Sequence, residues 1–119
     1  MIHKQSTLHI VDNSGARTGL CISTPLGFVA GVGDKILLSI QSCSTSSKVK
    51  KGELFKAVIV RLKKSLLRGD GAFFSFQTNS VVLLNNQELP LAKRISGPVS
   101  YTLRQKKAFK ILFLASVVL

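Results

Sequence analysis

His9, Asp12 and Ser14 lie close together in the chain and are of the types that assemble a base, an orienting carboxylate and a nucleophile, while Cys21 offers a second nucleophile. Nearness in sequence is not triad geometry, however. Asp12-Asn13-Ser14-Gly15 is a favourable turn in its own right, because Asp and Asn side chains bond the backbone two residues on and Gly accepts positive φ. The turn is the preferred reading. Gly31-Val32-Gly33 lacks the third glycine of a dinucleotide fingerprint, and no Lys-Ser or Lys-Thr closes a glycine-rich phosphate loop. Cys21 and Cys43 form neither a CxxC pair nor a zinc-spaced set with His3 or His9, and are read as reduced, packed side chains. The chain has five carboxylates, each beside a turn or a basic neighbour, which leaves little material for paired acid–base work. No enzyme activity and no cofactor or metal is expected.

The chemistry that the residue types do support is electrostatic. Lys and Arg number 17 against 5 Asp and Glu, a formal net charge of +12 at pH 7. Such an excess on a small protein repels itself and calls for a polyanionic partner, because each cation set near a phosphate releases condensed counterions. The charge is also segregated. Lys48, Lys50, Lys51, Lys56, Arg61, Lys63, Lys64 and Arg68 face a single anion, Glu53, over their span; Lys93, Arg94, Arg104, Lys106, Lys107 and Lys110 form a second group with no acid between them. An ordinary soluble surface mixes the two signs. The first group flanks a strand on both sides, so its two loops are expected to converge on one phosphate-lined surface. Of the seven Phe, Phe55, Phe73, Phe74, Phe76, Phe109 and Phe113 lie in apolar surroundings and are read as core, so base stacking is disfavoured and structured RNA gripped by its backbone is favoured.

A membrane is the weaker polyanion: no stretch reaches the roughly 20 apolar residues of a span, Ile111 to Leu119 included. The first residues, Met1 to Thr7, carry neither a secretory apolar block nor an Arg-rich presequence, so the protein is expected to be made where it works or already processed.

The elements that must hold these cations read as strands. Short apolar runs separated by Gly, Asn, Asp and Ser fill most of the chain. Leu8 and Ile10 alternate before the Asp12 to Gly15 turn and Arg17 to Ile22 resumes the extended pattern, a hairpin. Ile36, Leu38 and Ile40 share one strand face, and Leu37 on the other implies partial burial there. The polar, serine-rich stretch 41–52 is a projecting loop or ribbon, and Ala57-Val58-Ile59-Val60 a central strand buried on both faces. Gly69-Asp70-Gly71 turns another hairpin, and Val81 to Leu84 is a further strand, the last expected. Beyond Leu89-Pro90, with Pro98 suiting a first helical turn, one or two short helices follow. The whole is an all-β fold: a small closed five-stranded β-barrel over about 1–96, and a short helical part over about 97–119, in one domain of residues 1–119.

Several blocks resemble the universal large-subunit ribosomal protein 14 family across nearly the whole chain. They are Asp12-Asn13-Ser14-Gly15-Ala16-Arg17, Ala30-Gly31-Val32-Gly33-Asp34, Lys48-Val49-Lys50-Lys51-Gly52, Leu84-Asn85-Asn86 and Gly97-Pro98-Val99. More specific is Ala57-Val58-Ile59-Val60 followed by Asp70-Gly71, Phe76, Asn79 and Val82-Leu83. The resemblance implies a five-stranded barrel with a projecting β-ribbon, bound to large-subunit rRNA and forming an intersubunit bridge with small-subunit rRNA. It implies large-subunit ribosomal proteins 3 and 19 as neighbours and a ribosome-silencing factor docking on the C-terminal surface. Residue by residue, RNA contact falls on Arg17, Lys48, Lys50, Lys51, Arg61, Lys63, Lys64 and Arg94, to which charge segregation adds Lys56, Arg68, Lys93 and Arg104; docking falls on Ser100 and Lys107. Two departures stand out: Ser23 to Phe28 replaces a longer, more basic loop, and Tyr101-Thr102 replaces a common Arg-Glu. The Phe-, Leu- and Ser-rich composition, with a mean hydropathy of +0.30, points to organelle-encoded synthesis, mitochondrial before plastid or bacterial. A free-standing barrel that chaperones single-stranded RNA is the alternative, and it requires exposed rings.

Overall fold

The computed structural model describes residues 2–24, 29–45, 49–63, 66–67, 73–105 and 108–119, with the backbone alone at 66, 67, 73, 74, 105 and 116. Five strands close into a barrel: β1 (Thr7–Ile10), β2 (Ala16–Ser23), β3 (Lys35–Cys43), β4 (Leu54–Arg61) and β7 (Ser80–Leu84), in the order β1-β2-β3-β4-β7. Each neighbour is antiparallel except β1 against β7, which is parallel and seals the barrel through His9↔Ser80 and Ile10↔Val81. Closure leaves no open edge on these short strands.

Period-two patterning decides which side chains fill the interior. In β3, Ile36, Leu38 and Ile40 are buried at 3%, 0% and 1% exposure, whereas Leu37 is half-buried. Ile36 opposes Ala57, so Ala57 and Ile59 point inward and Val58 and Val60 face out. All four are nevertheless buried. Their outer cover is a C-terminal layer that holds two strands besides the short helices expected there. It consists of β8 (Ile95–Val99), α1 (Thr102–Gln105), α2 (Phe109–Leu114) and β9 (Ala115–Val118), with β8 and β9 pairing in parallel. Ser100 N donates to Val60 O at 3.1 Å, and Ala108, Phe109 and Ile111 close a cavity of about 340 Å³ over Val58 and Leu84.

Two corrections follow. Pro98 does not open a helix; it lies in β8, opposite Val117 of β9. Val81–Leu84 is not the last strand, because the apolar run from Ile111 to Leu119 divides into a helix and then an extended segment. Ala115 takes φ −78 and ψ 141, which ends α2, and the β-branched Val117 and Val118 suit the strand that follows.

A separate ribbon, β5 (Leu66–Leu67) with β6 (Phe73–Phe74), is antiparallel as the expected hairpin requires; its turn, Gly69-Asp70-Gly71, lies outside the described residues. At the other end of the barrel, β3 continues past the start of β4, with Ser42 and Cys43 paired to Thr18 and Ala16 of β2.

Candidate nucleic-acid interface

The turn between β3 and β4 shows how a short basic segment is made rigid. Val49 is 2% exposed and belongs to the core, while the next two residues, Lys50 and Lys51, are exposed. Gly52 has φ +89, the left-handed conformation that disfavours any side chain, and it lets the chain double back. Gly52 N donates to Ile40 O at 2.8 Å, Ile40 N donates to Glu53 O at 3.0 Å, and the Glu53 carboxylate accepts from Lys50 N at 3.2 Å. The one anion of the basic stretch thus bonds the backbone of the turn, and the two ammonium groups stand outward from a fixed frame.

Register places other cations at this end. Ala16 opposes Cys43, and Ser44 N donates to Gly15 O at 2.9 Å, so the exposed Arg17 at the head of β2 lies on the same rim as the β3–β4 turn. Arg94, exposed in the segment before β8, is brought to the same rim, because Asn13 N donates to Arg94 O at 3.1 Å. Lys93 beside it is exposed too.

Other expected contacts are dispersed. The basic segments before and after β4 do not converge: they lie at opposite ends of a strand of eight residues, which is about 23 Å long at a rise of roughly 3.3 Å per residue. Lys63, exposed beyond β4, has its backbone N bonded to Asn79 Oδ1 at 2.8 Å. Lys56 sits on the outer wall, 3.7 Å from Glu88, which also binds Lys35 at 2.6 Å. The hydrogen bond and charge of Lys35 hold the Glu88 carboxyl below the usual carboxylate range. Sequence gave no signal for this pairing, since Lys35 and Glu88 are 53 residues apart. Arg104 is exposed on α1. Lys48, Lys64, Arg68 and Lys107 lie outside the described residues.

Arg61 differs from the others. It is half-buried, its Nη2 donates to Ser96 O at 3.2 Å, and its Nε is buried with no partner. Burial pulls its pKa below the ordinary arginine value.

The residues with catalytic types are committed to structure. Asp12 accepts from the Ser14 backbone N–H and hydroxyl through Oδ1, and from Leu83 N through Oδ2 at 3.1 Å, tying the β1–β2 turn to β7. Ser14 is 2% exposed, whereas His9 is an exposed residue of β1. Both cysteines are free. Burial pushes the Cys21 thiol up, away from the thiolate that a nucleophile needs, although a contact with Ser23 O opposes the shift. Among the described residues no three His, Cys, Asp or Glu side chains cluster, and no helix is long and apolar enough to cross a membrane.

Two rings expected in the core are on the surface. Phe113 is 84% exposed and Phe109 46%; with Tyr101, Arg104, Leu112 and Val118 they line a shallow groove of about 490 Å³. A six-residue helix between a loop and an edge strand buries Ile111 and half-buries Leu112 and Leu114 against the core, which leaves its two Phe on the far side. Phe55, by contrast, packs against the core as expected. Ser100 is buried, its Oγ accepting from Thr102 N at 3.3 Å, so it shapes the turn into α1 and is not itself offered at the surface.

The fold and its turns define a class: a small closed β-barrel, with Asp12 and Ser14 spent on a turn and a rim of exposed cations that the core anchors. Within that class, the chain belongs to the ribosomal protein L14p/L23e family, whose model matches residues 1–119, the whole chain. Its family is one of structural ribosomal proteins, and the chain is accordingly a ribosomal protein.

Proposed function

We propose that this protein binds large-subunit rRNA through the barrel rim formed by Arg17, Lys50, Lys51 and Arg94, and that it helps to form an intersubunit bridge with small-subunit rRNA. The observation that supports this reading best is the β3–β4 turn, where a buried Val49 and a hydrogen-bonded Gly52-Glu53 frame fix two exposed lysines. Cations carried on a backbone fixed in advance cost little backbone freedom on meeting a phosphate, so more of the counterion-release free energy appears as affinity. No bond is made or broken; the mechanism is charge neutralisation by a scaffold of fixed shape. Lys48, Lys56, Lys63, Lys64, Arg68, Lys93 and Arg104 complete the proposed RNA set, with Lys56 weakened by its ion pair to Glu88. Residues 1–119 act as one unit.

Replacing Lys50 and Lys51 with Ala is expected to weaken binding to large-subunit rRNA. It should also flatten the plot of log affinity against log salt by an amount corresponding to about two phosphate contacts. A slope equal to that of the parent protein would remove these two lysines from the interface.

We further propose that the C-terminal layer meets protein: large-subunit ribosomal proteins 3 and 19 as neighbours, and a ribosome-silencing factor around Ser100 and Lys107. Exposed Tyr101, Phe109, Phe113 and Val118 favour this over base stacking, since aliphatic and aromatic groups are mixed there. The ribosome in question is proposed to be mitochondrial. Sedimentation with the large subunit of purified mitochondria at high salt tests both; recovery only in free RNA fractions, cross-linked through Phe76 to single strands, would favour the RNA-chaperone alternative.

A further inference from the structure

Arg61 belongs by charge to the RNA-binding set, but its surroundings are not those of a phosphate contact. In the barrel β7 lies between β1 and β4. The β8 segment is bonded beside both of those neighbours, Ser96 N donating to the O of Val11, just past β1, at 2.7 Å and Ser100 N, just past β8, donating to Val60 O of β4 at 3.1 Å, and it therefore crosses outside β7. The Arg61 side chain reaches into this crossing. Its Nη2 donates to Ser96 O, its Nε is out of solvent, and a Cβ built on Gly97 would stand 3.1 Å from its Nη1. Gly97 also has φ +76, so both its backbone and its lack of a side chain accommodate the guanidinium.

A guanidinium remains protonated under physiological conditions, and a charge that is half-buried without a carboxylate is retained at a cost in desolvation. Neither ion pair found among the described residues involves it. What the side chain does accomplish is mechanical. It holds the start of β8, and the residues immediately before β8 are Lys93 and Arg94, the latter bonded through its carbonyl to Asn13 of the β1–β2 turn.

We infer that Arg61 is a positioning residue, which clamps β8 to the barrel and thereby sets Lys93 and Arg94 at the RNA-binding rim, without contacting phosphate itself. This rests on the RNA-binding reading given above. Lys at this position keeps the charge but loses the planar fork that reaches the Ser96 carbonyl while packing over Gly97.

The test compares Arg61→Lys, Arg61→Gln and Gly97→Ala in the full chain, by salt-dependent binding to large-subunit rRNA and by amide exchange of the free protein. The clamp predicts that R61K lowers affinity roughly tenfold with the salt slope of the parent retained, since Lys93 and Arg94 still reach phosphate but from a segment that must be ordered on binding. It predicts faster exchange across residues 95–99 in R61K and G97A alike, the latter disturbing the same contact from the opposite side. In a K93A/R94A background R61K should cost no further affinity, a cancellation that general destabilisation would not produce. Parent-like affinity in R61K, together with a slope reduced by about one contact in R61Q, would make Arg61 a phosphate ligand and overturn the inference. If the parent protein prefers large-subunit rRNA no more than an unrelated polyanion, the RNA reading itself fails. Exchange over 95–99 then judges the clamp alone, and rates unchanged in both R61K and G97A would dismiss it.

Discussion

The β3–β4 turn and the C-terminal layer both carry lysines and apolar residues over a short length, yet they organise them in opposite ways. In the turn the apolar residue, Val49, goes into the core and the cations go out, locked by hydrogen bonds on either side of Gly52. In the layer, Phe109 and Phe113 remain on the surface beside Arg104 and Lys110, and only Ile111 of α2 is buried. A closed barrel supplies enough interior to bury one residue of each loop that returns to it. The helices of four and six residues bury Leu103 and Ile111 but leave Phe109 and Phe113 outside, where they form a face for something else.

The contrast should show first in stability. Ile59→Ala, in the barrel interior, is expected to cost about 2–5 kcal/mol in denaturant unfolding, whereas Phe113→Ala should change stability by less than about 0.5 kcal/mol. Similar losses for both would mean that the layer carries as much of the fold as the barrel. Next comes the Asp12 crosslink between the β1–β2 turn and β7. Asp12→Ala leaves Leu83 N–H without its partner, and the expected loss is about 1.5–3 kcal/mol, read from the same unfolding curves. Smaller still is Gly52→Ala: a Cβ there meets nothing within 4 Å, so the effect is backbone strain alone, about 1–2 kcal/mol. A neutral G52A would show that the turn is looser than its hydrogen bonds imply.

The smallest expected effect concerns the wall between the two regions. The Glu88 carboxyl is depressed in the folded state by Lys35, so the pair stabilises the protein above the unfolded glutamate pKa, and that contribution is lost as pH falls through the depressed folded value. Glu88→Gln should therefore flatten the acid side of the stability–pH curve slightly, the pair being exposed to solvent. A larger acid sensitivity in the variant than in the parent would reverse the sign of this account.

Much of the barrel is legible from sequence because closure imposes simple periodicity. Ile36, Leu38 and Ile40 announce one buried face, and the unbroken Ala57 to Val60 announces two. What covers the second face is not legible, since Val60 meets Ser100 and Val58 meets α2 through contacts some 40 to 50 residues distant. The cations were all visible by type. Their fates were decided by long-range partners: Lys56 by Glu88, Arg61 by Ser96, and Arg94 by Asn13. Composition reveals how much charge a chain carries, but only register reveals which charges share a rim. The strand β9 and the exposed Phe113 went unseen for a related reason, because Ile111 to Leu119 is apolar throughout and has no period to separate helix from strand or inside from outside.

The most direct test of the central claim, that the barrel rim and not the aromatic C-terminal face grips RNA, is photocrosslinking of the full-length protein to large-subunit rRNA followed by mass spectrometry of the linked peptides. The account predicts links concentrated in peptides containing Arg17, Lys50, Lys51 and Arg94. Links confined to Tyr101, Phe109 and Phe113, with the rim peptides unmodified, would contradict it.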